Sequence, residues 1–288
     1  MESVAYDTFE VAHRKSLAGG YAVVRAVRSG FDAEPGQFVM VRGDWGVSPF
    51  LPRPFSLASA GDGEAMLLIR VVGDGTRRLA AVQRKDELSV NGPLGRPFGP
   101  VARGERLLLV GGGVGIAPLL FLARRATRAG AGAVEVLYGG RTRRDLPLAP
   151  DIAAAATGAT FTTEDGSAGE QGLVTDAAAR RIDRAAFDRV VACGPWAMMA
   201  AIAGLAAAAG LRCETSLEAV MACGFGVCLG CAVPAAGGGY LYACSDGPAV
   251  DAGLVDWDAG DPGLPSAASR TQAGPKRAPR CVAGERDK

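Results

Sequence analysis

Histidine is almost missing from this chain: His13 is the only one in 288 residues. A metal site with two imidazoles therefore cannot be built, and no Cys/His or Ser/His pairing points to nucleophilic catalysis. An excess of charge of either sign is missing as well. The net charge is +1 with 21% charged residues, and no basic stripe is interleaved with aromatics, which argues against a nucleic-acid partner. Although 49% of residues are hydrophobic, no apolar run reaches membrane-spanning length without a break. The longest, near Pro195 to Leu211, is alanine-rich, contains Gly204 and reads as a packed helix. No charged segment followed by an apolar one opens Met1-Glu-Ser-Val-Ala-Tyr-Asp, so structural disulfides are not expected. The expectation is a cytoplasmic protein with neither membrane nor nucleic acid as partner.

What the chain does have is cysteine in a pattern. Cys223, Cys228, Cys231 and Cys244 form Cys-x4-Cys-x2-Cys-x12-Cys, the thiolate order of a plant-type [2Fe-2S] cluster. Three of the four lie on one glycine-rich loop, where Gly224, Gly226 and Gly230 permit a tight fold with N–H groups aimed inward. The competing reading is zinc, but a zinc ribbon normally uses two Cys-x-x-Cys knuckles and here only Cys228-Leu-Gly-Cys231 is present. A Rieske centre needs two histidines and is excluded. Cys193, Cys213 and Cys281 have no such spacing.

The length suffices for two or three cores. Residues 1–103 read as short strands separated by Gly/Pro/Asp turns, including Gln37-Phe-Val-Met-Val-Arg and Ala65-Met-Leu-Leu-Ile-Arg-Val-Val, as expected for a small antiparallel β-barrel. Strands then alternate with helices over 104–212, which implies a doubly wound α/β domain. The cysteine module occupies 213–258. From 259 to 288 the composition is that of a disordered tail, rich in Pro, Ser, Gly and Ala with basic residues in excess.

Three further motifs bear on chemistry. In Arg53-Pro54-Phe55-Ser56 an arginine fork can neutralise a phosphate and a serine can hydrogen-bond a polar ring edge, although such tetrads also occur in ordinary turns. Gly73-Asp-Gly75-Thr76 ends a strand and opens a helix, a terminus suited to a pyrophosphate. Gly111-Gly112-Gly113-Val-Gly115-Ile-Ala-Pro118 follows a buried strand and lets the backbone approach a dinucleotide, or simply makes a structural turn. It does not fit the spacing Gly-x-Gly-x-x-Gly, so the common dehydrogenase fingerprint is unsupported.

In this order, with Cys193-Gly194-Pro195 and a terminal Cys-Ser-Asp-Gly-Pro, the motifs resemble the ferredoxin-NADP reductase superfamily. More narrowly they resemble the electron-transfer subunits of class 1B dihydroorotate dehydrogenase. The resemblance implies an FAD-binding barrel, an α/β domain for NAD(H) and a small C-terminal [2Fe-2S] module. It implies that Arg53, Pro54, Phe55 and Ser56 bind the flavin, that Leu68, Ile69 and Arg70 form the strand beside it, and that Gly75 and Thr76 meet its pyrophosphate. Gly111, Gly112, Gly113, Gly115 and Pro118 would hold the nicotinamide dinucleotide, with Cys193, Gly194 and Pro195 at the strand end beside it. Cys223, Cys228, Cys231 and Cys244 would hold the cluster.

Glu164-Asp-Gly-Ser167 resembles the family's acidic glycine turn, or is a surface turn. Glu218 either approaches the flavin or is a solvated carboxylate. No side chain is expected to act as acid or base, because the cofactors carry the electrons. The implied partner is an FMN-containing dihydroorotate dehydrogenase catalytic subunit in a heterotetramer of two of each. Two alternatives stand beside it: the small subunit of an NADH-dependent ferredoxin:NADP oxidoreductase or sulfide dehydrogenase, and a redox-inactive scaffold or zinc-binding protein. Whether Arg141, Arg143 and Arg144 meet a 2′-phosphate, making the nucleotide NADP, is left open by the sequence.

Overall fold

The computed structural model describes residues 6–184 and 186–262; Cys281 and the expected tail beyond 262 lie outside the described residues. The first unit is a closed barrel of β1 (Asp7–Leu17), β2 (Tyr21–Val27), β3 (Phe38–Gly43), β4 (Arg53–Gly61), β5 (Glu64–Arg70) and β6 (Glu87–Leu94). Its strands run antiparallel in the order β1-β2-β5-β4-β3-β6. Strand periodicity sorts its side chains. Ala22, Val24, Leu67 and Ile69 turn into the barrel core with Phe9, Val11 and Leu57. The alternate residues Tyr21, Val23, Met66 and Leu68 face outward into a second core shared with the next domain. A short helix, α1 (Asp74–Leu79), follows β5 and buries Leu79.

The second unit contains β7 (Arg106–Gly112), α2 (Ile116–Ala129), β8 (Ala133–Gly140), α3 (Ala149–Ala155), β9 (Gly158–Thr163), β10 (Glu170–Gln171), α4 (Val174–Arg184), β11 (Arg189–Cys193), α5 (Trp196–Ala208) and β12 (Arg212–Ser216). The strands are parallel in the order β10-β9-β8-β7-β11-β12. Helices cover both faces, so the central strands are apolar throughout rather than alternating. Leu107 and Leu109 of β7 pack in the core that holds α2 and α3, whereas Leu108 and Val110 pack with α4 and α5. Because β7 neighbours both β8 and β11, the chain order reverses beside it and a crevice opens at the strands' carboxyl ends.

The expected division between 212 and 213 falls inside β12, which pairs with β11 from Arg212 to Thr215. The cysteine module leaves the sheet after Ser216 and forms a hairpin of β13 (Ala232–Pro234) and β14 (Tyr240–Tyr242). It then returns one antiparallel edge strand, β15 (Ala249–Asp251), to β12. Residues 259–262, expected to begin the tail, continue the described chain: Ala259 and Gly260 are exposed, and Asp261 returns to line a cavity.

One buried ion cluster fixes the barrel-to-sheet linker. Arg189 is 0% exposed, with Nη1 donating to Gly99 O at 2.9 Å and to Glu214 Oε1 at 3.0 Å, and with Nε 3.0 Å from Glu105 Oε1. Glu214 in turn accepts from Gly99 N at 2.9 Å. Removing the guanidinium would leave the two largely buried carboxylates with only the half-exposed Arg212, 3.4 Å from Glu214 and 3.9 Å from Glu105. Arg189→Ala is therefore expected to cost about 3–5 kcal/mol, read as lost unfolding free energy in urea.

Candidate functional site

A cavity of about 400 Å³ lies between the barrel and the module, lined by Phe38, Pro54, Phe55, Ser56, Leu68 and Arg70 from the barrel. Val114, Gly115 and Ala117 close it from the glycine loop, and Leu217 to Ala219 with Met221 close it from the chain leading to the cysteines. The sequence-expected Arg53 stands beside it, its guanidinium laid over Gly75. A Cβ at Gly75 would sit 2.8 Å from Arg53 Nε, so only glycine leaves that cation in place. Thr76 also lines the cavity, but its hydroxyl accepts from the Val72 and Gly73 amides at 2.9 and 3.0 Å and is thus engaged in capping α1. Ile69 sits in the barrel core on the opposite face of β5 from Leu68 and Arg70, so its side chain is turned away from the cavity. An apolar slot with a cation at one end and a serine on its wall fits a flavin dinucleotide.

A second cavity, also about 400 Å³, occupies the crevice at the strand ends. Gly112, Gly113, Gly139 and Gly140 line it with Arg70, Arg141, Asp145 and Glu164, and Pro195 closes one side. The glycines divide into two tasks. Gly112 and Gly113 give the backbone to this space, whereas Gly111 and Gly115 allow close packing: a Cβ on Gly115 would sit 2.5 Å from Cys193 O. Pro118 is buried within the first turn of α2, and Gly194 adopts φ 154° beside Gly112. Cys193 is buried; its thiol is pushed well up by burial and then by Glu218, with Ser216 opposing.

Sequence reasoning missed Asp145, Tyr138 and Met198. Tyr138 Oη lies 3.0 Å from Gly113 O and 3.2 Å from Asp145 O, and burial pushes its hydroxyl far up, so it stays a donor that braces the glycine loop. No local motif marks these residues; the β7–β8 pairing brings Tyr138 and Asp145 to the glycine loop, and the β7–β11 pairing, continued by α5, brings Met198 beside Gly112. Of the three arginines singled out, Arg141 lines the cavity. Arg143 instead donates from Nε to Ser167 O at 3.0 Å.

The four cysteines of the spacing motif are brought together. The β13–β14 hairpin, continued by Ala243 N donating to Cys231 O at 3.0 Å, sets Cys244 Sγ 3.2 Å from Cys231 Sγ. Cys223 is paired with the Cys228 thiol. Among the described residues no three His, Cys, Asp or Glu side chains close on a single-ion site. The thiols are grouped two and two, the division that two irons with two thiolates each would use.

Backbone amides point at the sulfurs: Gly226 N to Cys244 at 3.1 Å, Gly230 N to Cys228 at 3.4 Å and Cys228 N to Cys223 at 3.5 Å. Burial raises the Cys223 thiol, but the amides of Cys228, Phe225 and Val227 with the Cys228 side chain outweigh it and hold it at about 6, favouring a thiolate. Gly224, at φ 86°, presses the loop onto the barrel, where a Cβ would meet Met40 Cγ at 2.5 Å. Val220, Val227 and Leu229 are exposed around the loop.

Comparison with known proteins agrees with this layout. Residues 218–256 match the model for the iron-sulfur cluster binding domain of dihydroorotate dehydrogenase B, and residues 109–204 match the oxidoreductase NAD-binding domain. The electron transfer subunit of dihydroorotate dehydrogenase B (NAD(+)) from Caldanaerobacter subterraneus subsp. tengcongensis is 38% identical, over 74% of this chain and 83% of that one. Its counterpart from Bacillus caldolyticus is 40% identical over 77% and 86%. Among solved structures, a chain of the NADH-dependent reduced ferredoxin-NADP oxidoreductase superposes with TM-score 0.78 at 31% identity, covering 90% of this chain and 92% of that one. A ferredoxin NADP+ reductase from Neisseria gonorrhoeae, at TM-score 0.61 and 16% identity over 75% of this chain and all of that one, shares the fold.

Proposed function

The chain belongs to the family of dihydroorotate dehydrogenase B electron transfer subunits, and from that premise we propose that it carries electrons from a catalytic partner subunit, through a [2Fe-2S] centre and FAD, to NAD+. The observation that carries this reading is continuity. Met221 lines the flavin cavity and Cys223 is two residues on, so one short segment serves both centres. When bound, a flavin exchanges electrons singly with an iron-sulfur centre and in pairs with nicotinamide.

The chain's own side chains bind, orient and shield. Arg53 over Gly75 would neutralise the flavin pyrophosphate, and Ser56 would hydrogen-bond its ring edge. Gly112 and Gly113 would receive the nucleotide, and Arg70, which lines both cavities, would hold charge between them. The exposed Val220, Val227 and Leu229 form an apolar rim suited to the partner's surface. The partner is an FMN-bearing catalytic subunit, and the assembly is a cytoplasmic heterotetramer of two of each. Among the described residues no helix is long and apolar enough to cross a membrane.

The test is purification with and without that subunit. Flavin bands with a broad iron-sulfur shoulder, two irons per chain, and co-purification with an FMN-bearing dihydroorotate dehydrogenase are expected. A colourless, zinc-loaded protein would overturn the redox reading. The TM-score of 0.78 favours as second reading the small subunit of an NADH-dependent ferredoxin-NADP oxidoreductase; recovery with a larger flavoprotein that binds NADP would support it.

Nucleotide choice is also testable. Glu164 and Arg141 both line the nucleotide cavity, and the reading for NAD+ is that the carboxylate, accepting from a ribose hydroxyl and repelling a 2′-phosphate, outweighs the arginine. NADH is expected to be the better donor, and Glu164→Ala to narrow its advantage over NADPH by about tenfold in kcat/KM, the worth of one charged hydrogen bond.

A further inference from the structure

The cluster-domain match ends at residue 256, yet the described chain continues to 262 along a defined path. Asp256 accepts from the Asp258 and Ala259 amides at 3.1 and 3.3 Å, starting a single turn, and its own N–H donates to Pro234 O at 3.0 Å. Trp257 lies against Trp196 with ring centroids 4.6 Å apart at 51°. Trp196 Nε1 donates to Trp257 O at 3.2 Å, and Trp257 Nε1 donates to Ala252 O at 2.9 Å. Trp196 is the first residue of α5, directly after Cys193-Gly194-Pro195. Gly260, at φ 84°, then turns the chain so that Asp261 arrives at the mouth of that strand end.

There it helps enclose a third cavity, about 270 Å³, lined by Gly194, Pro195, Trp196, Glu218 and Asp261 among others. This cavity shares Pro195 with the nucleotide cavity and shares Glu218 and Ala219 with the flavin cavity, and those two share Arg70. It therefore adjoins both the nucleotide cavity and the flavin cavity. Glu218 is accessible through the two cavities it lines, but enough protein surrounds it that its carboxyl is raised, first by burial and then by Asp261, with Arg70 opposing.

We propose that residues 256–262 are a C-terminal wall of the nicotinamide subsite, anchored by Trp257 on Trp196, and that Asp261 weights this subsite toward the oxidised nucleotide. The inference rests on the NAD-linked reading above. Its chemistry is charge: the nicotinamide ring is a cation when oxidised and neutral when reduced, so a carboxylate on the cavity wall, close to the low-dielectric interior, attracts one form and not the other. Asp261 acts as a positioning and selectivity group and takes no part in the transfer itself.

The test is isothermal titration of the holoprotein, flavin and cluster in place, with NAD+ and with NADH separately. Asp261→Asn is expected to weaken NAD+ by about three- to tenfold while NADH stays within about twofold. Trp257→Ala should lose the same preference by releasing the wall, and Trp257→Phe should retain it. Equal changes for both nucleotides, or none, in Asp261→Asn would overturn the charge role. An unchanged preference in Trp257→Ala would overturn the anchoring role. Failure of the wild-type protein to bind either nucleotide would instead sink the NAD-linked reading on which the inference rests.

Discussion

Cys244→Ala is expected to leave a protein that still binds flavin and oxidises NADH with an artificial acceptor, but that contains almost no iron and no longer connects to its partner. Cys244 is buried, arrives on a separate segment from the other three cysteines, and lines neither the flavin nor the nucleotide cavity. Its removal deletes one of four thiolates and orphans the amide of Gly226 that points at it. Changes to outer-shell partners alone cost 10–100-fold in metal affinity, so loss of a ligand is expected to lower partner-to-NAD+ transfer by more than about 100-fold. Iron and sulfide content, flavin content and the two activities measured side by side check this. Retained iron, or a parallel loss of flavin, would show that Cys244 does not serve the cluster selectively.

The cysteines were legible because ligand spacing is a local property: three lie within nine residues, and a hairpin of ordinary length delivers the fourth. The barrel and the doubly wound sheet were legible for the same reason, since strand alternation and apolar strand–glycine–helix units are written in contiguous residues. Ile69 shows where a motif overreaches. A strand beside a cofactor offers it only alternate side chains, and the parity of β5 gives the cavity Leu68 and Arg70 while sending Ile69 into the barrel. The edge strand β15 and the brace from Tyr138 to Gly113 were not legible, because each depends on segments joined only by the sheet. The contact between Trp257 and Trp196 is of that kind too: two tryptophans far apart in sequence carry no periodicity.

The glycine loop supports the second large prediction, Gly115→Ala. Most glycine-to-alanine changes in a helix entry are mild or favourable, and here φ is −62°, so the backbone itself accepts alanine. The obstacle is steric and lies in the partner strand. The added methyl would stand 2.5 Å from Cys193 O and 2.6 Å from Cys193 C, and these are backbone atoms of the strand paired with β7 that cannot swing aside as a flexible side chain would. Relief requires the ends of β7 and β11 to part, which moves Gly112 and Gly113 away from Gly194 and Pro195. Because a displacement of about 1 Å can cost 10²-fold in a transfer that depends on alignment, kcat/KM for NADH is expected to fall by about that factor. Overpacking adds about 1–3 kcal/mol of destabilisation, visible as a lower Tm. Gly104→Ala, a glycine at φ 81° with nothing near its missing Cβ, is the control: backbone strain without a clash should lower Tm and leave NADH kinetics intact. If both variants lose NADH activity equally, the close approach at Gly115 is not what aligns the nucleotide.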